Sequence, residues 1–242
     1  MAKRRLFVDV RLETNTSLTL DPDRSHYLCR VLRQRRGDQV LLFCGDGNGY
    51  EARIDSADAR ACEVHVGAVI ATQPAPRLRL HLAQSMIKGD RLDFVLQKAT
   101  ELGVTDVWLV ETQRTEVHIE GPRVARRETH WQRILESAAE QSGRLRLPTL
   151  HAPVALADLL AQAPARQLFL LDPGAPPMAG TPAFDDTLLL VGPEGGFSDE
   201  ERNNALARGA RAMGMGSLIL RADTAPVAAL AVLRQAWGWN AP

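Results

Sequence analysis

The sequence is short of the features that mark several large classes of protein. It has three cysteines, an odd number without Cys-x-x-Cys spacing, so neither a disulfide framework nor a cysteine metal site is expected. Cys29, Cys44 and Cys62 are predicted to be buried free thiols in a reducing compartment. No apolar run approaches the roughly 18 residues of a membrane span, and the N-terminus lacks a signal-peptide core. We therefore expect a soluble cytoplasmic protein without a metal or a membrane partner.

The chain also lacks net charge, because 29 Lys and Arg balance 29 Asp and Glu. No overall field therefore draws it to nucleic acid. The distribution is uneven: residues 1–36 carry nine basic residues against four acidic ones, whereas residues 37–74 carry two against six. A local basic patch near the N-terminus and an ordinary solvated surface are both consistent with this pattern.

Glycine motifs for nucleotide phosphates are missing, although a glycine-rich loop is present. The apolar run 187–191 breaks into Gly192-Pro193-Glu194-Gly195-Gly196, and Ser198 and Glu201 then form a capping-box pattern that begins a helix. This loop is neither Gly-x-Gly-x-x-Gly nor a Gly-Lys-Ser/Thr end, and it has no cation. Glu194 and the acidic helix start would repel a diphosphate. The order strand, loop, helix favours a neutral or cationic ligand held by backbone groups beyond the strand, with a tight turn without ligand as the alternative.

Residues 1–72 are predicted to form a small, mainly β domain. A helix is expected over residues 25–33, with Ser25 as its cap. Five strands and one helix favour a compact barrel. Arg30 and Arg33, at the end of the helix, fit either its dipole or a phosphate-contacting edge. The strand-length runs, separated by turn signals, are 5–8, 17–20, 38–43, 49–54 and 62–66.

Residues 73–77 have the composition of a linker, and alternating strands and helices follow from residue 78 to 242. This alternation is typical of a parallel sheet. Gly103 and Gly143 are predicted to end two helices, and the Pro- and Ala-rich residues 152–165 receive no element. Thr112-Gln113-Arg114 follows a strand directly, which is a functional position in such sheets. The predicted strands are 79–84, 104–111, 167–171, 187–191 and 209–213, and the predicted helices are 90–102, 123–142, one after Ser198, and one from Asp223 or Thr224 to about 237.

Ordered blocks along nearly the whole chain resemble the bacterial 16S rRNA uridine-N3 methyltransferases of the SPOUT class. The blocks are His26-Tyr27-Leu28-x-x-Val31-Leu32-Arg33, Lys88-Gly89-Asp90-Arg91 with Gln97–Val104, Ala138-Ala139-Glu140-Gln141-Ser142-x-Arg144, Val191–Ser198, and Ile219-Leu220-Arg221-x-Asp223-Thr224-Ala225. Five blocks in order are more specific than any one of them.

The resemblance implies a fold and a reaction that pattern alone does not give. Residues 78–242 would be a SPOUT domain, a parallel sheet flanked by helices and threaded into a trefoil knot, and residues 1–72 a PUA-like RNA-binding β-barrel. The cofactor would be S-adenosylmethionine. The substrate would be N3 of one uridine, 1498 in rRNA numbering, of 16S rRNA in the small ribosomal subunit. The family works as a homodimer, with RNA spanning both protomers.

The resemblance also implies roles for individual residues. The predicted cofactor-binding residues are Leu171, Gly192, Glu194, Gly195, Gly196, Met215 and Leu220, within loops that also include Asp172 and Pro173. Position and chemistry suggest Arg114 and Arg221 as candidates to stabilise the uracil anion, and Asp223 or Glu194 could orient them or take the N3 proton. A structural pairing with an acid is the alternative role for Arg221. The predicted RNA-binding residues are Arg4, Arg5, His26, Arg30, Arg33, Lys88 and Arg144.

The sequence departs from the family pattern around residue 220. Met215, Leu218, Ala222 and Asp223 stand where the family has Leu, Arg, Thr and Glu, so the loop loses one cation and Asp223 has a shorter reach. The sequence leaves three alternative functions open. They are a non-catalytic RNA-binding protein, a Rossmann-type enzyme, which the missing glycine motif disfavours, and a methyltransferase of the same class with another RNA target.

Overall fold

The structure is a computed structural model that describes residues 4–117, 121–162, 165–178 and 185–238. It divides into two compact units. The first comprises Met1–Ala75 and Ala139–Leu147, and the second comprises Pro76–Ala138 and Pro148–Pro242. No pattern in the sequence indicated that residues 139–147 would group with the first unit. Within the described ranges, no helix combines the length and apolarity that crossing a membrane requires.

The first unit is built on one five-stranded sheet. Its strands stand in the order β1-β3-β4-β5-β2, with β1 parallel to β3 and the other pairs antiparallel. Among the described residues β1 and β2 do not pair, so the predicted barrel is not closed by hydrogen bonds. Its elements are β1 Arg4–Phe7, β2 Thr16–Thr19, α1 Pro22–His26 with a π-helical turn Tyr27–Val31, β3 Gln39–Phe43, β4 Asn48–Ser56 and β5 Glu63–Thr72.

The helix of this unit begins earlier than the sequence predicted. Asp21 caps it, since its Oδ1 accepts from the Arg24 backbone N–H at 2.9 Å, and Pro22 occupies the first turn, where a missing N–H costs nothing. Ser25 is buried inside the helix, and its hydroxyl donates to the Leu20 carbonyl and accepts from the Cys62 N–H. The prediction of Ser25 as a cap was therefore wrong.

Both faces of this sheet are buried at β3, which explains the unbroken apolar run in that strand. Val40 and Leu42 belong to the main core of the unit, whereas Leu41 and Phe43 pack with Ala139 and Leu145. Successive side chains in a strand point to opposite faces, so segment 139–147 covers the face that a one-sided sheet would expose.

The second unit is a six-stranded, wholly parallel sheet in the order β11-β9-β10-β6-β7-β8. This confirms the predicted parallel sheet flanked by helices. The last residues of α3 count with the first unit. The elements are β6 Arg79–Ser85, α2 Asp90–Glu101, β7 Asp106–Glu111, α3 Pro122–Ser142, β8 Thr149–Ala155, α4 Leu156–Gln162, β9 Gln167–Leu171, β10 Asp186–Val191, α5 Asp199–Ala207, β11 Arg211–Met213 and α6 Thr224–Trp237.

Helices cover both faces of this sheet, so apolar residues on both sides of its central strands are buried. In β10, Leu189 and Val191 pack on the side of α2, α3 and α6, whereas Leu188 and Leu190 pack on the side of α4 and α5. Because all six strands are parallel, the loops after β7, β9, β10 and β11 leave the sheet at one edge. The loops that the sequence predicted to be functional therefore meet at the carboxyl ends of the strands.

Candidate functional site

A cavity of about 350 Å³ lies at the carboxyl ends of β9, β10 and β11. All seven residues predicted to bind a cofactor line it, and Arg114 lines it from the loop after β7. Three loops therefore meet at one place, as expected where ligands bind α/β sheets. The lining comprises Arg114, Leu170–Pro173, Val191–Phe197, Arg202, Met213, Met215, Leu218–Leu220, Ala222 and Ala225.

The glycine loop after β10 folds back closely on itself. The Gly196 N–H donates to the Pro193 carbonyl at 2.9 Å, and Gly196 has a φ of +67°, which L side chains rarely adopt. A Cβ at Gly192 would lie 3.2 Å from the Gly196 backbone. A side chain at 192 would therefore crowd the Gly196 backbone, and glycine suits the conformation at 196.

The segment after β11 lines the cavity and has backbone groups without hydrogen-bond partners in the described part of the chain. Among the described residues, no backbone N–H or C=O of residues 215–220 forms a hydrogen bond. Met215 and Leu220 line the cavity with apolar side chains. Polar backbone groups beside apolar side chains are the chemistry of a site that binds a planar, hydrogen-bonding ring.

The loop after β9 wraps tightly around the end of β11. The Asp172 N–H donates to the Met213 carbonyl at 3.0 Å, and the Gly214 N–H donates to the Pro176 carbonyl at 2.9 Å. A Cβ at Gly214 would lie 1.9 Å from the Ala175 carbonyl oxygen, so only glycine fits there. The sequence placed Gly214 in a loop but carried no signal for this approach.

Asp172 forms an ion pair inside the cavity wall. Arg202 Nε donates to Asp172 Oδ2 at 2.7 Å, and the Gly174 N–H donates to the other carboxylate oxygen at 2.9 Å. The hydrogen bond from Arg202 is the main reason that the pKa of Asp172 is lowered. Arg202 was missed in the sequence because it stands inside α5, four residues after the Ser198 cap, where an arginine is an ordinary solvated residue.

The Thr112–Arg114 loop is held by the first turn of α5. The capping box of Ser198 and Glu201 is confirmed, with the Ser198 N–H donating to Glu201 Oε2 at 2.8 Å. The other oxygen of Glu201 accepts from the Gln113 N–H at 2.7 Å, and the Gln113 side chain donates to Glu200 at 2.9 Å. Arg114 then reaches the glycine loop, where its Nη1 donates to the Gly195 carbonyl at 2.8 Å. Carboxylates predicted only to start a helix also position the arginine.

Arg221 and Asp223, two other candidates for the reaction, lie outside the hydrogen-bond network that holds Arg114. Arg221 is exposed and does not line the described cavity, and its carbonyl accepts from the Thr224 and Ala225 N–H groups where α6 begins. Asp223 occupies the N-cap position of α6, but its side chain makes no capping hydrogen bond, so that part of the cap prediction was wrong. Asp223 lines a neighbouring cavity with Lys88 and Arg91.

Glu194 pairs with a different arginine from the two that the sequence suggested. Its Oε1 lies 3.5 Å from Arg91 Nη1, and both side chains are substantially exposed. Among the described residues, neither Arg114 nor Arg221 pairs with Glu194. Glu194 nevertheless borders the cavity and contributes negative charge to its rim.

The predicted RNA-binding residues differ in their exposure. Arg4, His26, Arg30 and Arg33 of the first unit are exposed, whereas Arg5 and Arg144 are partly buried. The Arg5 guanidinium lies against Gly143. In the second unit Lys88 forms an ion pair with Glu116, which raises the pKa of Lys88.

The cysteines and potential metal ligands complete the picture. The thiols of Cys29, Cys44 and Cys62 are free, as predicted. Cys62 is fully buried, whereas Cys29 and Cys44 are only partly buried. In the described part of the chain, no group of three or more His, Cys, Asp or Glu side chains could hold a metal ion.

Two domain families match this chain. The RNA methyltransferase domain family matches residues 73–234, and the RNA methyltransferase PUA domain family matches residues 20–67. The first match alone spans more than half of the chain and includes every loop of the cavity.

Individual relatives agree with these families. The ribosomal RNA small subunit methyltransferase E of Synechocystis sp. is 32% identical, over 94% of this chain and 76% of the relative. A Legionella pneumophila protein solved in complex with the cofactor S-adenosylmethionine is 32% identical, with a TM-score of 0.91 over 98% of each chain. The ribosomal RNA small subunit methyltransferase E of Neisseria gonorrhoeae, solved with S-adenosylmethionine, is 31% identical, with a TM-score of 0.88 over 98% of this chain and 99% of that one. The chain therefore belongs to the ribosomal RNA small subunit methyltransferase E family, with an RNA methyltransferase domain and a PUA domain.

Proposed function

We propose that the protein transfers a methyl group from S-adenosylmethionine to N3 of uridine 1498 of 16S rRNA in the small ribosomal subunit. The observation that carries the proposal is the cavity at the carboxyl ends of β9, β10 and β11, lined by unpaired backbone groups and apolar side chains. The reaction belongs in the cytoplasm, where the subunit is found.

The residues of the cavity fit S-adenosylmethionine. Its volume of about 350 Å³ falls within the range of small-molecule sites, about 300–1,000 Å³. Backbone groups of Gly192, Met215 and Leu220 would bind the adenine and ribose, and Gly195 and Gly196 would permit close approach. The loop after β10 holds no cation, and Glu194 adds negative charge, which suits a sulfonium better than a phosphate. When bound, the cofactor supplies an electrophilic methyl group.

The protein must remove the N3 proton and stabilise the charge that is left on the uracil ring. Arg114 is the best-placed cation, because it lines the cavity and its guanidinium is held at the Gly195 carbonyl. Arg221 would stabilise the anion from the exposed start of α6. Asp223, or Glu194 at the rim, would accept the proton. N3 is paired in a duplex, so the base must be presented unpaired or extruded.

The same proposal includes the trefoil knot. The chain passes from α5 on one face of the sheet, through β11, to α6 on the other face, where Leu230 and Leu233 pack with residues of α2. The loop after β9 closes over Gly214 at the point of passage. This tight crossing supports threading of residues 214–222 through that loop.

We also assign the partners by this proposal. Residues 1–72 form the PUA-like RNA-binding domain and residues 78–242 the SPOUT domain, and the protein works as a homodimer with RNA across both protomers. Exposed apolar side chains on α2 and α6, Phe94 and Val232, support a partner surface on these helices. Arg4, His26, Arg30 and Arg33, exposed in the first unit, would contact the rRNA backbone.

The direct test is transfer of labelled methyl from S-adenosylmethionine to small subunits that lack the modification, with the product nucleoside identified by mass spectrometry. Label recovered as 3-methyluridine at one position is the expected result. Label at another base or in another RNA would show that the proposed target is wrong. Cofactor binding without any methyl transfer would favour a non-catalytic RNA-binding protein.

Matched glycine variants separate the cavity from general stability. Gly192→Ala places a methyl group 3.2 Å from the Gly196 backbone and should abolish cofactor binding in calorimetry. Gly209→Ala, at a φ of +87° with no atom within 4 Å and outside the cavity, should bind the cofactor normally. Equal binding by both variants would show that the cofactor binds elsewhere.

A further inference from the structure

A cluster of basic side chains on α3 has no role in the site described above. Arg123, Arg126 and Arg127 stand in the first turns of α3 and are exposed; we name these three the arginine ridge. They line an open depression of about 640 Å³ together with Thr129, His130 and Arg133. His130 pairs with Asp93 at 2.7 Å, so it is less available to an outside partner.

The ridge does not serve the stability of the helix. Among the described residues, none of its three guanidinium groups forms an ion pair or a hydrogen bond. The first turn of α3 contains no acidic residue. Cations near the N-terminus of a helix oppose its dipole, where carboxylates would stabilise it. Arg123 in this first turn therefore opposes the dipole, and Arg126 and Arg127 add like charge in the next turn, so an anion from outside would stabilise all three.

The ridge lies at the same edge of the sheet as the cofactor cavity. Arg123 and Arg127 also line a small cavity with Met86, Ile87 and Gly89, the loop after β6. The same loop continues into a further cavity lined by Lys88, Arg91 and Asp223.

An ion pair connects this surface to the cofactor cavity. Arg91 lies 3.5 Å from Glu194, on the rim of the cofactor cavity. An RNA strand that places its target base in the cofactor cavity would then run past Lys88 toward the arginine ridge.

We propose that the arginine ridge binds phosphates of the substrate RNA strand that flanks the target nucleotide, which rests on the proposed function. Guanidinium groups bind phosphate oxygens with two parallel hydrogen bonds, and unpaired guanidinium groups are ready to do so. The ridge spans about 6 Å of helix, one turn, which suits two or three consecutive phosphates. It acts as a positioning surface and takes no part in the chemical step.

The test is the triple variant R123Q/R126Q/R127Q, which removes the charges and keeps the long side chains. We expect its affinity for a 16S rRNA fragment to fall about 10- to 100-fold at low salt. The slope of log affinity against log salt should fall by about two, at about 0.7 for each phosphate of a single strand. The KM for RNA should rise, while kcat at saturating RNA and cofactor affinity stay within about twofold of the wild type, since the reacting groups are untouched.

The control is the variant R77Q/R79Q/R166Q, with the same change of charge. These arginines are exposed and stand at or before the amino ends of β6 and β9, the opposite edge of the same sheet. The control should keep the affinity and the salt slope of the wild type. Thermal unfolding of both variants shows that neither is disrupted.

The outcomes separate the ridge from the reaction. A ridge variant that equals the control in RNA affinity and salt slope overturns the inference, even if the wild type methylates uridine. A wild type that binds RNA without methylating it overturns the proposed reaction, while the loss of affinity in the ridge variant still supports the surface. R123K/R126K/R127K should retain most of the salt slope but part of the affinity, because lysine keeps the charge and loses the paired hydrogen bonds.

Discussion

Arg114 Nη1 donates to the carbonyl oxygen of Gly195 at 2.8 Å, and the aliphatic part of the same side chain lies along the glycine. A Cβ at Gly195 would stand 3.4 Å from the Arg114 Cβ and 3.5 Å from its Cδ. The loop that would bind the cofactor thus also orients the cation that would stabilise the uracil. Absence of a side chain at residue 195 allows both.

The Arg114→Ala variant is predicted to lose the chemical step with little loss of cofactor affinity. Removing one donor that stabilises a developing anion costs about 10²- to 10³-fold in kcat. Single-turnover methyl transfer measures this loss, and calorimetry measures cofactor affinity. Arg114→Lys should recover part of the rate, since it keeps the charge. Unchanged kcat in Arg114→Ala would remove the arginine from the mechanism.

The packing of Gly195 on Arg114 predicts that substitutions at the two positions do not add. In Gly195→Ala the new methyl group would stand in van der Waals contact with the Arg114 side chain, 3.4 Å from its Cβ and 3.5 Å from its Cδ, and would restrict its adjustment during the reaction. Once Arg114 is alanine, only the Cβ of residue 114, at 3.4 Å, remains beside the new methyl group. A double-mutant cycle on kcat should therefore give a smaller effect of Gly195→Ala in the Arg114→Ala background. Strict additivity would mean that the contact has no consequence.

Gly214 and Gly216 stand two residues apart and should respond differently to alanine. At Gly214 the new Cβ would meet the Ala175 carbonyl at 1.9 Å, so backbone must move, at a cost of about 3 kcal/mol of unfolding free energy. At Gly216 no atom lies within 4 Å, and only the φ of +99° opposes a side chain, at about 1–2 kcal/mol. Urea unfolding compares them. A larger loss at Gly216 would contradict the close crossing of the loop after β9.

Glu201 is predicted to be a positioning residue for Arg114 as well as a helix cap. Its two oxygens accept from the Gln113 and Ser198 N–H groups, so Glu201→Ala releases the loop that carries Arg114. We expect about a tenfold loss of kcat and about 1 kcal/mol of unfolding free energy, the ordinary cost of a lost cap. Ser198→Ala is the control, because it removes the cap hydroxyl and leaves the bond to Gln113. Equal losses of kcat in the two variants would mean that Glu201 acts only as a helix cap and does not position Arg114.

Local signals in the sequence predicted local structure well. The capping box of Ser198, and the glycines 103 and 143 at helix ends, with φ of +86° and +82°, depend on a few neighbouring residues. β8 was missed because Pro153 suggests a loop, yet β8 is the last strand of the sheet, and an edge strand tolerates proline.

Contacts between distant residues gave no signal. The bond from Glu201 to Gln113 spans 88 residues, and the approach of Ala175 to Gly214 joins two separate loops. The seven residues predicted to bind the cofactor line one cavity, and the family resemblance, rather than periodicity, named them.

The carboxylate of Asp106 links three neighbouring strands of the second unit, at a place away from the cofactor cavity. Its carboxylate lies 3.1 Å from His81 Nδ1 and 3.1 Å from His151 Nε2, and His81 Nε2 lies 3.0 Å from Asp186. Burial alone raises the pKa of Asp106, but the hydrogen bonds from His81, His151 and Thr105 together lower it well below its usual range.

The ionised Asp106 therefore stabilises the folded protein at neutral pH. Because its folded pKa is lowered, this contribution is complete above the unfolded pKa of about 3.9 and is lost as pH falls toward the folded value, at up to about 1.4 kcal/mol per pH unit. Asp106→Asn should cost about 3 kcal/mol of unfolding free energy at pH 7, and the difference from the wild type should shrink below pH 4. Asp185→Asn, an exposed carboxylate one residue before β10, should show neither effect. A difference for Asp106→Asn that does not change between pH 7 and pH 3 would mean that its charge does not stabilise the sheet.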